Sequence, residues 1–261
     1  RRRKGTSRKR ELPPTPQVGK RALITTISAL AIAYRWSGYV AALVDGFVYR
    51  ATPTATPAMG RALQVLGGHL AWLVVGVSVL AVVPALEMRD GRMRWNREKA
   101  TAWYRFKWKT DWLWWVAGGY CASALIFNVA DGLNHFLVPP TLFDDDTLVT
   151  KMVNPDEGRG VASILVGGVA PCVTAPWWEE VLYRGFLLRA LERLCGRADV
   201  AAVVSSLLFA AHHLSLTAAL PLAALGATWS YLYLASGNLL VPVAIHALWN
   251  ARVFAGTVLG L

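Results

Sequence analysis

Apolar stretches about as long as a bilayer is thick recur along this chain, and that feature restricts its fold more than any other. A helix needs about 20 mostly apolar residues to cross ~30 Å of hydrocarbon. Residues 61–86 (ending GGHLAWLVVGVSVLAVVPAL) and 112–137 read as such spans. So do 22–48, the stretch 161–195 with Pro171 and Pro176 inside it, and three later stretches at 198–214, 218–235 and 239–259. The stretches are continuous and do not alternate, which argues against a β-barrel, whose strands switch between lipid and lumen at every residue. The expected fold is all-α, a polytopic membrane bundle of about seven helical spans. Arg35 and Asp45 inside the first stretch predict an interrupted or tilted span.

Charge is confined to the connections. Only 16% of the 261 residues are charged, yet the formal net charge is +11. The cations gather in a basic surface tail, residues 1–21, and in a linker, residues 87–111, where they interleave with aromatics. A loop over 138–160 instead collects Asp144, Asp145, Asp146, Asp156 and Glu157. Flanks rich in Lys and Arg mark the untranslocated side and attract anionic head groups, so the lipid bilayer is the first expected partner. Interleaved rings and cations suit an interfacial belt; no nucleic-acid fold signature accompanies them, and nucleic acid is not an expected partner. The domain reading is a tail (1–21), N-terminal membrane helices (22–137, with the linker), the acidic loop (138–160) and a C-terminal membrane domain (161–261). Cys121, Cys172 and Cys195 are scattered and lack metal or disulfide spacing, so they read as small packing residues.

Polar residues inside the apolar stretches are the candidates for chemistry, since an intramembrane ionisable group is costly and marks function by default. In WWEEVLYRGF, Glu180 and Arg184 stand four apart, the favourable order for a helical ion pair, which leaves Glu179 on another face as a candidate general base. In SSLLFAAHHL, His213 is expected to face the site, with His212 a satisfied hydrogen-bonding residue of the core. In VPVAIHALWN, His246 and Asn250 share a helical face. They read either as N–H donors for an oxyanion or as a clamp between helices. His69 and His135, with Asn128, Asp131 and Asn134, read as isolated packing residues; a chlorophyll-type pigment is the other ligand a neutral His there would suit. There is no H-E-x-x-H, no G-x-S-x-G and no Gly-rich phosphate loop.

Three motifs in order, Glu179-Glu180-x-x-x-Arg184, Phe209-x-x-x-His213 and His246-x-x-x-Asn250, resemble the CAAX protease and bacteriocin-processing family of intramembrane proteases. The resemblance covers about residues 160–260. It implies an endopeptidase in which Glu179 activates water with help from His213, His246 and Asn250 stabilise the oxyanion, and Glu180 with Arg184 holds the helices. Two His and a Glu leave both zinc and no cofactor open. The implied partner is a membrane protein, as substrate or, in a non-proteolytic scaffold or assembly factor of this fold, as bound client. The first residue, Arg1 rather than Met, the Ala- and Arg-rich composition and a likeness to plastid members point to a chloroplast thylakoid or envelope, with the endoplasmic reticulum or a bacterial inner membrane as alternatives.

Overall fold

The computed structural model describes residues 18–89, 92–95, 103–108, 111–143, 150 and 154–260. Most of the basic tail, much of the basic linker and Asp144, Asp145 and Asp146 lie outside the described residues. Among the described residues, seven α-helices form a bundle: α1 (Lys20–Ala51), α2 (Pro57–Val82), α3 (Trp112–Leu137), α4 (Val161–Cys195), α5 (Ala198–His212), α6 (Ala219–Ser236) and α7 (Leu240–Leu259). Four of them, α1 to α4, are long and apolar enough to cross a membrane by length and composition. The last three are shorter or carry more polar residues. Beside the bundle, a small antiparallel ribbon pairs β1 (Leu86–Arg89) with β2 (Arg92–Trp95), Leu86 opposite Trp95 and Arg89 opposite Arg92.

The first span is neither broken at Arg35 nor at Asp45. α1 is one helix of 32 residues, about 48 Å long, and both charged residues are exposed. That length exceeds the hydrocarbon thickness, and tilt or protrusion accommodates the excess.

Each end of the bundle is stitched by contacts that order the helices. At one end, Arg193 Nε donates to the Val18 carbonyl (3.0 Å), and the segment 103–108 docks on the turn between α6 and α7. At the other, Arg61 pairs with Glu157 at 2.9 Å and Arg159 Nη1 donates to the Val258 carbonyl. The linker and the loop before α4 therefore lie at opposite ends, as an odd number of crossings between them requires.

Asn238 holds the docked linker. It is 2% exposed; its Oδ1 accepts from the Lys107 and Leu240 amides, and its Nδ2 donates to the Lys107 carbonyl. Trp103 packs on Phe186 with ring centres 5.4 Å apart. Tyr104 lies so close to Gly185 that a Cβ there would stand 2.9 Å from its ring. Burial pushes the Tyr104 phenol above its ordinary range. Replacing Asn238 by Ala strands the groups it satisfies, at about 1 kcal/mol or more for each hydrogen bond. The expected outcome for Asn238→Ala is a loss of about 2–3 kcal/mol, read as a lowered unfolding temperature in detergent together with faster proteolysis of the linker.

Candidate functional site

The site is organised by α4, whose path is irregular at two places. The helix widens into a π turn over Ala170–Thr174 and again over Val181–Leu187. The first has a direct cause. Ala175 N–H bonds the Ala170 carbonyl, five residues back, and Pro176 has no N–H to offer Pro171. The Pro171 carbonyl is left to a side chain, and Asn250 Nδ2 on α7 donates to it at 2.8 Å. At the end of the second π turn the Tyr183 carbonyl accepts the Leu188 N–H, five residues on, and also Ser205 Oγ on α5, at 2.9 Å. The interruption expected at the prolines is thus a widened helix that remains continuous.

Between the two π turns stand Glu179 and Glu180. Glu180 and Arg184 form the expected ion pair at 2.8 Å, with both side chains 0% exposed. Arg184 Nη2 also donates to the Gly226 carbonyl on α6 at 3.0 Å. Its guanidinium lies over the rings of Phe209 (4.6 Å) and Trp229 (5.5 Å). The same Glu180 oxygen accepts from His246 Nδ1 at 2.9 Å. That bond fixes which imidazole nitrogen carries its proton inward and turns Nε2 the other way. Nε2 then faces Glu179, 4.0 Å from an Oε2 that has no hydrogen-bond partner. Trp229 braces His246 from the side, ring centres 4.4 Å apart, and is itself held by Nε1 donating to Ser123 Oγ on α3.

Glu179, Glu180, Arg184 and His246 therefore form one contiguous group. His213 stands across Phe209, whose ring centre is 4.9 Å from His213 and 5.9 Å from His246. His213 Nδ1 donates to the Phe209 carbonyl at 2.8 Å, and its ring is exposed at the end of α5. Asn250 sits one turn beyond His246, on the Pro171 carbonyl. His212 departs from expectation: its Nδ1 is buried without a partner, against the edge of Tyr34 (4.8 Å). His69 is not isolated either; it contacts the backbone of Thr174 and lies within electrostatic reach of His212. His135 bonds the Asp131 carbonyl one turn back and stacks on Phe143, ring centres 4.5 Å apart, and Asn134 donates to the Thr217 carbonyl. Trp229 and Ser123 were not among the candidates; a Ser in the apolar third span was the one sequence signal of that brace.

The fit to zinc is poor. Among the described residues, no three His, Cys, Asp or Glu side chains gather as a metal cage. The Nδ1 atoms of His246 and His213 are held by Glu180 and by the Phe209 carbonyl, which leaves Nε2 of each ring as the nitrogen a metal would take. His246 Nε2 stands 4.0 Å from Glu179 Oε2, wider than the ~3.4 Å that tetrahedral bonds of ~2.1 Å impose on two ligands.

Residues 161–252 match the family described as type II CAAX prenyl endopeptidase Rce1-like. No curated protein and no solved structure matches the chain.

Removing Arg184 leaves Glu180 charged and uncompensated at full burial, which costs about 3–5 kcal/mol. Arg184→Ala is expected to abolish folded yield. The double variant Glu180→Gln/Arg184→Met is expected to recover much of it, measured by monodisperse elution and unfolding temperature in detergent.

Proposed function

We propose, on the match of residues 161–252 to the type II CAAX prenyl endopeptidase Rce1-like family, that the chain is an intramembrane endopeptidase that hydrolyses a peptide bond with water activated by Glu179. One observation carries the reading. Glu179 presents a bare carboxylate oxygen 4.0 Å from His246 Nε2, while Glu180 and Arg184 fix the opposite side of the same imidazole. A single water with hydrogen bonds of ~2.8 Å bridges such a gap.

In that arrangement Glu179 takes a proton from the water as its oxygen attacks the scissile carbonyl carbon. The C=O pair moves to oxygen, and His246 in its doubly protonated form, with Nδ1–H held by Glu180, donates its second N–H from Nε2 to the developing oxyanion. Collapse of the tetrahedral species breaks the C–N bond, and the proton held by Glu179 passes to the leaving amine, giving one carboxylate and one amine. Asn250 keeps the first π turn in register behind Glu179 and has its second N–H for the oxyanion. His213, at the exposed rim, assists from the other face of Phe209.

The substrate class follows from the family and from the setting: the C-terminal segment of a lipid-modified membrane protein. A cleft of about 330 Å³ lined by Ile27, Leu30, Tyr34, Trp72, Tyr183 and His212 opens beside the site. Its walls, one residue from His213, suit the apolar part of such a substrate. The scaffold alternative rests on the aromatic start of α3, where Trp114 is 82% exposed and Leu113 62%.

The deciding variant is Glu179→Gln. In nanodiscs, with a fluorogenic peptide ending in a farnesylated CAAX sequence, it should lower kcat by about 10²–10⁴-fold with the unfolding temperature unchanged. Equal cleavage by variant and wild type rules Glu179 out as the base. A wild type that cleaves nothing, yet retains the same membrane partners as the variant, supports the scaffold instead.

A further inference from the structure

Six buried polar atoms without a hydrogen-bond partner collect where α2 meets α4 and α5: His69 Nε2, Trp72 Nε1, Thr174 Oγ1, Trp178 Nε1, Glu179 Oε2 and His212 Nδ1. They form successive rungs. His69 contacts the backbone of Thr174. One turn further along both helices, the Trp72 ring meets Trp178 edge-on, centres 6.0 Å apart, and the next residue is Glu179. His212 closes the side of the seam, within electrostatic reach of His69. From Thr174 to Glu179 is five residues, about 7.5 Å along the axis.

At this depth lipid satisfies no N–H, hydroxyl or ring nitrogen, so each such group needs protein or water. The set also has the composition of a water path: indole N–H donors, a hydroxyl that both gives and accepts, and imidazole nitrogens. In the packed bundle each of the six is shut off from bulk solvent. Trp178 lies on the bare surface of Gly76, where any Cβ would overlap its indole. The first π turn ends at Thr174, on the same seam.

We propose that the seam between α2 and α4 parts to admit the hydrolytic water, and that His69 is the positioning residue that holds it on the way to Glu179. The inference rests on the reading of Glu179 as the base. It assigns a role in the reaction to a residue far outside the family segment, on a helix of the N-terminal half.

Hydroxyl-radical footprinting in proteoliposomes reads the seam independently of activity, because radicals formed from internal water oxidise the side chains beside it. After correction for intrinsic reactivity, Trp72 and Trp178 should oxidise at least about tenfold faster than Phe186, which is 0% exposed. His69→Leu should bring both indoles down to the Phe186 rate and lower kcat about tenfold at constant KM, as expected when supply of an activated group is lost. His69→Gln, which keeps a polar group there, should restore both. Indoles as protected as Phe186 in the wild type overturn the proposal whatever the activity, and so does a footprint indifferent to His69→Leu. A hydrated seam in a chain that hydrolyses nothing overturns the role given to Glu179 and leaves the water path standing.

Discussion

The Arg184 cation sets the conditions for everything packed around it. A guanidinium does not shed its proton in a protein, and at 0% exposure it has to be met entirely by neighbours. Glu180 supplies the counter-charge from its own helix, Gly226 a carbonyl from α6, and Phe209 and Trp229 the faces of two rings. Such a pair adds little net stability once the loss of hydration is counted. What it supplies is position. Glu180, pinned by Arg184, offers the same oxygen to His246, so one ion pair fixes the orientation of an imidazole on a different helix. Four helices are thereby referred to a single point, and the catalytic candidates are placed relative to it.

Adjacent identical residues consequently end up with different chemistry. Glu180 Oε1 receives two donors, while Glu179 is turned about 100° away along the helix and keeps an unpartnered oxygen beside His246 Nε2. The protein spends the first carboxylate on structure so that the second is free to react.

The sequence was most legible where lipid writes it. The spans read at 112–137 and 161–195 coincide with α3 and α4, because a hydrocarbon slab demands apolar residues over a fixed length. The Glu180–Arg184 pair was legible for a similar reason: a four-residue spacing meets on any helix. The prolines announced an irregularity in α4 but not its form, which depends on a donor from α7 that only the packed bundle brings near. The second π turn has no proline to announce it. Trp229, Ser123 and His69 escaped because each acts through a neighbour distant in sequence, and a polar residue seen alone on an apolar helix carries no mark of its partner. His212 was misread from the same cause, since satisfaction of a buried ring depends on what stands opposite.

The N-terminal half has a part in the site that its lack of family likeness conceals. α5 has only 15 residues, about 22 Å, too short for the hydrocarbon layer. A helix this short that starts at one face of that layer ends inside it, and His213 stands at its end. Leu214 then adopts φ 52, the one non-glycine residue with positive φ among those described, and the chain turns back through 213–218 with Leu214 and Leu216 exposed to an apolar exterior. Irregular backbone at such depth persists only where protein satisfies its polar groups. Here Tyr34 of α1 donates to the His212 carbonyl, Asn134 of α3 to the Thr217 carbonyl, and Ser215 Oγ accepts from the Ala218 amide. Two of those three groups come from helices before residue 138. A histidine can be presented at a helix end inside the membrane because α1 and α3 supply what lipid cannot, so the motif segment depends on the first half of the chain to hold its catalytic candidates in place.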